Sequence, residues 1–317
     1  MVSIRKRHPR GLSIKTDRKV KVLIMPDNFI ELNDPENAVA HYFNSKVGAG
    51  AFADQYSQKA SRASPWPYFY LRRQELVMQK LRSLDASSVL DVGCGPGTFA
   101  KPCAALGLHY HGVDISDRMI DEARRRSGDI DHVDFSLCDA RQLPFPENNF
   151  DIVLSLGMLE YVPQDKEIKY LNEIIRVLKP GGTVLFSLLN KSSPYWLIND
   201  YVFPVFRLGL WGLKEIPKTI GFKPHRDFSA KPFATRKFKL RERTELLNAL
   251  GLSVIDKIYF APAIVPPYLD KLFAPQAVLA MSKLELTPQS FLLEWLGQAF
   301  IVVAYKGDNL QPLAAAL

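Results

Sequence analysis

In the middle of the chain, short apolar runs typical of buried strands alternate with longer segments whose apolar residues recur at helical spacing. Helical spacing covers about 66–84, and SSVLDVG, a β-branched run that ends in glycine, follows it. A later helical segment, KEIKYLNEIIRVLKPGG, is expected to end at Pro180-Gly181-Gly182. This alternation predicts right-handed crossovers and a parallel sheet covered on both faces. The other predicted strands are LHYHGVDIS, HVDFSLCDA, FDIVLSLG and TVLFSLLN.

After Asn190 the alternation stops, and an aromatic segment punctuated by proline follows. The earlier pattern returns with a helix, LRERTELLNALG, and two strands, LSVIDKIYFAPAI and QAFIVVAYKG. A second apolar insertion, about 262–296, lies between these two strands. The sequence therefore predicts one large α/β domain whose sheet is completed by the two late strands.

Charge is distributed unevenly along the 317 residues, which carry 41 Lys and Arg against 33 Asp and Glu. Residues 1–21 and residues 214–243 each have a net charge of +7, so the rest of the chain is acidic. We call residues 214–243 the basic segment. An acidic body with two basic patches differs from a uniformly basic nucleic-acid-binding protein, and no nucleic-acid partner is expected.

The cysteines and the hydropathy pattern indicate the cellular compartment in which the protein is expected. Cys94, Cys103 and Cys138 are odd in number and lack C-x-x-C spacing, which indicates neither a disulfide framework nor a metal site. A cytoplasmic location is expected. No apolar run approaches the roughly 18 residues of a membrane-spanning helix. Residues 1–25 are expected to form a solvated, partly disordered tail, with attraction to anionic lipid or a transit signal as alternatives.

The segment VLDVGCGPGTFA, residues 89–100, is the clearest chemical motif. Its three glycines follow a predicted strand and open a helix, where a tight turn lets a ligand approach the backbone. Asp114 ends the next strand, where a carboxylate can bind both hydroxyls of a ribose, and Asp139 ends the third. The spacing is G-x-G-x-G, and Asp91 is placed inside the turn, where it would repel a pyrophosphate. An acid there favours a cationic ligand that carries an ammonium group and a sulfonium.

These motifs resemble class I S-adenosylmethionine-dependent methyltransferases, in the branch that modifies quinones, terpenoids and polyketides. The resemblance covers about 66–190 well and 236–305 loosely, and it rests on LDVGCGPG, GVDIS, CDARQLPFPENNFDIV and LKPGG. It implies S-adenosylmethionine as cofactor and S-adenosylhomocysteine as product. The implied fold is an α/β, Rossmann-like, seven-stranded, mostly parallel sheet with an antiparallel last strand, helices on both faces, an N-terminal cap and lid insertions. The implied parts are a basic tail at 1–33, a helical cap at 34–85, a cofactor-binding core at 86–190, an aromatic and basic lid at 191–240, the rest of the core with a second insertion at 241–306, and a tail at 307–317.

The resemblance also assigns residues to the cofactor, by position in its motifs. Gly93, Cys94 and Gly95 would line the amino-acid moiety near Asp91, and Asp114 would hold the ribose. A residue before the first strand often contacts the cofactor carboxylate in this family, with Tyr56, Tyr70 and Arg73 as candidates here. The adenine would be bordered by Ile115, Met119, Asp139 and Ala140, with Leu156 at the end of the fourth strand.

Transfer of an activated methyl group needs alignment and desolvation, and a base only where the acceptor must lose a proton. The fourth strand ends in SLGMLEYV. Enzymes that methylate the amino groups of nucleic-acid bases resemble one another in carrying an Asn- or Asp-Pro-Pro-aromatic stretch at this position. This sequence lacks that stretch, which argues against a DNA or RNA adenine methylase. Many small-molecule relatives have His where this chain has Tyr161. Glu160 and Tyr161 are the local candidates for catalysis, although either could simply pack the loop, and His225 is a more distant one.

The aromatic and basic lid gives information about the methyl acceptor. In the methyltransferases that this chain resembles, the insertion after the fifth strand covers the acceptor. Aromatic density indicates a small, apolar acceptor or a cation-stabilising pocket, and the basic segment favours an anionic head such as a prenyl diphosphate methylated at carbon. Only a diphosphate would call for Mg²⁺. The alternatives are O- or C-methylation of a neutral quinol, phenol or polyketide, or a non-catalytic cofactor-binding subunit, with peripheral membrane contact also left open. The predicted lid residues are Tyr70, Tyr195, Trp196, Tyr201, Phe206, Arg226 and Lys237.

Overall fold

The seven-stranded sheet predicted from the sequence is the centre of the protein. The computed structural model describes residues 14–17, 20–25, 28–31, 39–40, 42–44, 65–202, 235–262, 270–285 and 291–307. The strands lie in the order β6-β5-β4-β7-β8-β10-β9. Their bounds are β4 Ser88–Val92, β5 His109–Asp114, β6 Val133–Leu137, β7 Phe150–Leu156, β8 Leu178–Leu189, β9 Leu252–Pro262 and β10 Gly297–Lys306.

The first five strands of this sheet pair in parallel, and β10 pairs antiparallel with both β8 and β9. Nine of the ten residues of β10 are buried, with Tyr305 the exception. This strand reads GQAFIVVAYK, an almost continuous apolar run typical of a strand covered on both faces. The antiparallel last strand is thus confirmed.

Helices cover both faces of the sheet, as predicted. Because successive side chains of a strand point to opposite faces, two separate apolar clusters form. One cluster joins the sheet to α4 and α6, and the other joins it to α1, α2 and α7. The helices are α1 Pro65–Leu81, α2 Ala100–Ala104, α3 Asp117–Ser127, α4 Glu167–Val177, α5 Pro194–Leu197, α6 Leu240–Ala249, α7 Asp270–Glu285 and α8 Phe291–Leu296.

The end of α4 differs from the prediction, which placed it at Pro180-Gly181-Gly182. The helix ends at Val177, and these three residues belong to the first part of β8. The ammonium group of Lys306 donates hydrogen bonds to the carbonyl oxygens of Ile175 (2.8 Å) and Leu178 (2.6 Å). These bonds replace the C-terminal cap that a glycine would have supplied, so the helix can stop earlier.

Within the tail predicted at residues 1–25, the structure describes two strands, and residues 1–13 lie outside the described residues. β1 Ile14–Asp17, β2 Val20–Met25 and β3 Asn28–Glu31 form a separate antiparallel sheet of three strands. The run VKVLIM forms the central strand, consistent with its β-branched and apolar residues. Asp17 pairs with Val20 across a two-residue connection, the spacing of a tight hairpin.

The segment after β8 starts with α5 and continues as a π-helical turn, Ile198–Val202. Within the described ranges, no helix combines the length and the apolar character needed to cross a bilayer. The helical cap predicted at 34–85 is represented by α1 and by helical residues at 39–40 and 42–44.

Candidate active site

The glycine-rich turn joins β4 to α2 at the carboxyl edge of the parallel strands. Gly93, Gly95 and Gly97 have φ angles of 76°, 54° and 68°, in the left-handed region that glycine adopts without strain. A Cβ atom on Gly93 would lie 2.9 Å from Cγ of Met158, so the turn is also closely packed. The amide N–H groups of Gly93 and Cys94 donate to the carbonyl oxygen of Val113, at 2.8 and 3.0 Å. The turn is therefore fixed against the end of β5.

Asp114 stands at that end of β5, and both of its carboxylate oxygens accept hydrogen bonds from backbone N–H groups. Gly95 donates to Oδ2 and Ser116 donates to Oδ1, each at 2.9 Å. Burial raises the pKa of Asp114, while these N–H groups act to lower it. The Oγ atom of Ser116 accepts from the N–H of Met119 at 3.2 Å and thereby caps α3. The side chain of Asn44 accepts a hydrogen bond from the same hydroxyl, which ties the cap segment to this corner.

The residues predicted for the adenine lie in the segments that follow β5 and β6. Met119 is buried in the first turn of α3, and Ile115 is half-buried beside Asp114. Asp139 accepts hydrogen bonds from the backbone N–H and the Nε atom of Arg141, both at 2.8 Å. Burial acts to raise the pKa of Asp139, but the hydrogen bonds and charge of Arg141 outweigh it and leave that pKa below its ordinary value.

Asp91 does not occupy the place that the sequence predicted for it. It lies on β4, two residues before the turn, and is 2% exposed. The hydroxyl of Tyr110 donates a hydrogen bond to Oδ2 of Asp91 at 2.8 Å. Burial raises the pKa of Asp91 to about 7, although Tyr110 and the charge of Arg73 act to lower it. Asp91 is therefore a buried acid beneath the glycine turn.

Three of the predicted site residues meet where β7 ends. The Nη1 atom of Arg73, on α1, donates to the carbonyl oxygen of Leu156 at 3.2 Å. A Cβ atom on Gly157 would lie 2.7 Å from that Nη1 and 3.9 Å from Oε2 of Glu160. Arg73 and Glu160 are 6% and 4% exposed. The structure thus places a buried arginine and a buried carboxylate side by side at the strand end predicted to face the acceptor.

Aromatic side chains surround this pair of charges. The rings of Phe43 and Tyr161 meet edge to face with centroids 5.7 Å apart, and Tyr42 contacts Phe43 at 5.3 Å. The guanidinium of Arg73 lies 5.3 Å from the ring centroid of Tyr70. Burial raises the pKa of Tyr161, and the neighbouring Tyr70, Glu160 and Tyr42 raise it further. Tyr161 therefore stays protonated at neutral pH and can donate a hydrogen bond but cannot serve as a base.

The sequence reasoning missed Tyr42 and Phe43. They form an adjacent aromatic pair in the predicted cap, and this was the only local signal. Their approach to Tyr161 spans more than a hundred residues of chain and is set by tertiary packing.

Among the predicted lid residues, Tyr195 and Trp196 are buried and meet edge to face, with ring centroids 4.9 Å apart. The indole N–H of Trp196 donates to the carbonyl oxygen of Gln298 at 2.9 Å, and the Nζ of Lys237 lies 5.0 Å from its ring centroid. The polar edge of Trp196 is thus used by the backbone of β10.

Each cation of the basic segment that the structure describes has an acidic partner. Two of its arginines, Arg236 and Arg243, share one buried partner, Glu167, and Arg236 bonds to it at 2.6 Å. The remaining pairs in the described part are Lys237 with Asp200, Lys239 with Glu242 at 3.1 Å, and Arg241 with Glu245 at 2.8 Å. These cations are therefore all engaged in ion pairs, which the charge count along the sequence could not show.

Several predicted residues lie outside the described residues: Tyr56, Phe206, His225 and Arg226. Tyr201 is described only as part of the π-helical turn. In the part of the chain that the structure describes, no cluster of three or more His, Cys, Asp or Glu side chains has an arrangement that could hold a metal ion. The Cys94 side chain is buried in the turn, and burial raises its pKa well above the ordinary value, which makes it a poor nucleophile.

Comparison with known proteins matches residues 89–182, from β4 to the start of β8, to the family described as methyltransferase domain. This match spans the glycine turn, Asp114 and Asp139, and it agrees with the resemblance to class I S-adenosylmethionine-dependent methyltransferases. A solved structure with the same fold is magnesium protoporphyrin IX methyltransferase from Synechocystis with bound SAM, with a TM-score of 0.54. It is 17% identical, and the match covers 86% of this chain and 98% of that one, which supports the fold alone.

Curated relatives match parts of the chain. A probable S-adenosylmethionine-dependent methyltransferase of Mycolicibacterium smegmatis is 28% identical over 60% of this chain and 62% of its own length. The demethylmenaquinone methyltransferase of Clavibacter sepedonicus is 40% identical over 31% of this chain and 39% of its length. The ubiquinone biosynthesis O-methyltransferase of Paraburkholderia xenovorans is 37% identical over 38% and 50%. The chain thus spans less than two thirds of each of these relatives.

Proposed function

We propose that this chain transfers a methyl group from S-adenosylmethionine to a small, apolar acceptor and releases S-adenosylhomocysteine. The arrangement of Asp114 is the observation that carries the proposal. Its carboxylate is held by the N–H groups of Gly95 and Ser116 beside the glycine turn, at the meeting point of two parallel strand ends. A carboxylate fixed there is suited to the two hydroxyls of a ribose. Asp91 beneath the turn adds a second carboxylate that suits a cationic ligand. Asp139, two residues after β6, is paired with Arg141 and adds no free charge.

The sulfonium supplies an activated methyl group, so the protein has to align the acceptor and exclude water. The glycine turn allows close approach to the backbone, and Arg73 is the candidate partner for the cofactor carboxylate. Glu160 is the candidate proton acceptor, because it is a buried carboxylate next to Arg73 while Tyr161 stays protonated. As the new bond to the acceptor forms and the sulfur–carbon bond breaks, Glu160 would take the proton that the acceptor loses.

For the acceptor, we favour a neutral quinol-like or phenol-like molecule. The described half of the basic segment is ion-paired, which removes five cations from the argument for an anionic head. Aromatic rings surround the end of β7, where the acceptor is expected. The relatives named for demethylmenaquinone and for ubiquinone biosynthesis act within quinone chemistry and add support.

An anionic acceptor such as a prenyl diphosphate, with or without Mg²⁺, now depends on the basic residues outside the described ranges. These are Lys214, Lys218, Lys223, Arg226 and Lys231. A non-catalytic cofactor-binding subunit is the remaining alternative, and the complete acidic and aromatic site argues against it.

The test is incubation of the protein with methyl-labelled S-adenosylmethionine and a panel of quinols, phenols, prenyl diphosphates and lipids, followed by mass spectrometry. Binding of S-adenosylhomocysteine is measured in parallel by calorimetry. Label on a quinol or phenol supports the proposal, and label on a prenyl diphosphate alone shows that the acceptor class is wrong. Binding without turnover on any member of the panel would favour the non-catalytic subunit.

Reversing two charges of the basic segment provides a separate check on the acceptor. In the double variant Lys239→Glu/Arg241→Glu, we expect the acceptor KM to stay within about twofold of the parent value, since both cations already have acidic partners at the surface. Steady-state kinetics with the acceptor found above measures this. A large rise in acceptor KM with an unchanged cofactor KM would point to an anionic acceptor.

The approach of Arg73 to Gly157 gives a prediction with a closely matched control. In Gly157→Ala, the new Cβ would lie 2.7 Å from Nη1 of Arg73, so the guanidinium must move, and turnover should fall about tenfold or more. Gly107→Ala is the control: its φ of 77° resembles the 79° of Gly157, but a Cβ there meets nothing within 4 Å. Both variants carry the same backbone strain of about 1 to 2 kcal/mol, so equal turnover in the two would contradict a role for this contact.

A further inference from the structure

A tyrosine and an aspartate form a buried hydrogen-bonded pair beneath the glycine turn. Tyr110 on β5 is 1% exposed, and its hydroxyl donates to Oδ2 of Asp91 on β4 at 2.8 Å. The two strands are parallel neighbours in which Asp91 stands opposite Gly112. A glycine opposite the acid leaves room on this face, where a Cβ atom would lie 2.9 Å from the sulfur of Cys94.

The pair is surrounded by few charges. The groups that face Asp91 are Tyr110 and Asp114 from β5, Arg73 from α1, Cys103 from α2 and Cys94 from the turn. Burial raises the pKa of both cysteine thiols, so they stay neutral. Two groups, the Tyr110 hydroxyl and the Arg73 guanidinium, therefore favour the ionised form of Asp91, while burial and the repulsion of Asp114 oppose it.

The packing of Tyr110 in its apolar cluster does not require the hydroxyl group, because a phenylalanine side chain would fill the same space. A buried hydroxyl without a partner is destabilising, and here the partner is the one acid on β4. A carboxylate that accepts a buried hydrogen bond on one oxygen loses rotational freedom. Its second oxygen, Oδ1, is then held in a fixed direction.

We propose that Tyr110 is a positioning residue, which holds the Asp91 carboxylate in one orientation so that this acid can pair with the ammonium group of the cofactor's amino-acid moiety. The inference rests on the function proposed above, because it requires the cofactor to bind at this turn. Tyr110 acts through Asp91 and has no contact of its own with the cofactor in this scheme.

The test is calorimetric binding of two ligands to Tyr110→Phe. S-adenosylhomocysteine carries the ammonium group, whereas 5′-methylthioadenosine shares the adenosine but lacks the amino-acid moiety. We expect the Kd of the first ligand to rise about five- to tenfold at neutral pH and the Kd of the second to stay unchanged. Tyr170→Phe, which alters a buried tyrosine of α4 in the other apolar cluster, should change neither.

The pH dependence of the affinity for S-adenosylhomocysteine distinguishes a positioning role of Tyr110 from a merely structural one, because a structural role would not change it. In the parent protein, affinity for S-adenosylhomocysteine should fall as the pH drops through about 7, because Asp91 gains a proton and loses its charge. Without the Tyr110 hydroxyl the pKa of Asp91 rises, so the fall should begin about one pH unit higher. Asp91→Asn should abolish this dependence, and Tyr110→Phe should have no further effect in that background.

The outcomes separate this inference from the proposed function. An equal loss of affinity for both ligands, or a further loss in the Asp91→Asn background, would show that Tyr110 only supports the fold. Unchanged binding of S-adenosylhomocysteine by Tyr110→Phe overturns the positioning role and leaves the proposed function standing. No binding by the parent protein overturns both. If Tyr110→Phe does not fold, the profile of Asp91→Asn still decides, because a parent-like pH dependence would exclude Asp91.

Discussion

Asp114→Ala should lower the affinity for S-adenosylhomocysteine by about a hundredfold or more. In the proposed site, the carboxylate accepts hydrogen bonds from two ribose hydroxyls, and charge-assisted bonds of this kind contribute about 1.5 to 3 kcal/mol each. The same substitution removes the acceptor for the N–H groups of Gly95 and Ser116, so the turn itself loosens. Isothermal titration calorimetry at neutral pH measures the change.

Two variants control for this experiment. Asp117→Ala removes an exposed aspartate from the first turn of α3, three residues further on, and should leave the affinity unchanged. Asp114→Asn keeps one acceptor oxygen but removes the charge, and it should give an intermediate loss. Parent-like affinity in Asp114→Ala would mean that the cofactor does not bind at this strand end.

Glu167→Ala should give the largest loss of stability. The side chain of Glu167 is 4% exposed and bonds to Arg236 through Oε2 and to Arg243 through Oε1. Both guanidiniums also lie against the ring of Phe238, at 5.0 and 4.9 Å from its centroid. Removing the acid leaves two like charges close together and largely buried, and we expect the free energy of unfolding to fall by about 3 to 5 kcal/mol.

Chemical denaturation measures this loss. The midpoint concentration should fall, while the slope of the free energy of unfolding against denaturant concentration should stay the same. Glu167→Gln, which keeps the volume and one acceptor, should be less destabilising than the alanine variant. Glu245→Gln breaks an exposed pair with Arg241 and should leave the stability essentially unchanged. A loss below about 1 kcal/mol in Glu167→Ala would show that the pair is well solvated.

The parts of the fold and site that the sequence predicts well are those set by local pattern. β4, β7 and the second half of β8 are compact apolar runs, and the glycine turn needs glycine at positions with positive φ. Asp114 and Asp139 follow because they come at or within two residues of a strand end, and parallel strands bring their ends to one edge.

The parts that the sequence could not predict depend on partners distant in the chain. Asp91 was placed in the turn because the strand boundary could not be fixed to one residue, and its partner Tyr110 lies on the next strand. The basic segment looked free because Glu167 precedes Arg236 and Arg243 by about seventy residues. The end of α4 was missed for the same reason, since Lys306 supplies the cap.

The central position of β10 has a consequence for how the sheet is assembled. This strand comes last in sequence among the seven but lies between β8 and β9, pairing with both along most of its length. A nascent chain interrupted before Gly297 would therefore present two open apolar strand edges at once, each a template for pairing with another molecule. The glycine turn and Asp114 are synthesised before that point, so the parallel half of the sheet keeps an open edge at β8 until β10 has been made.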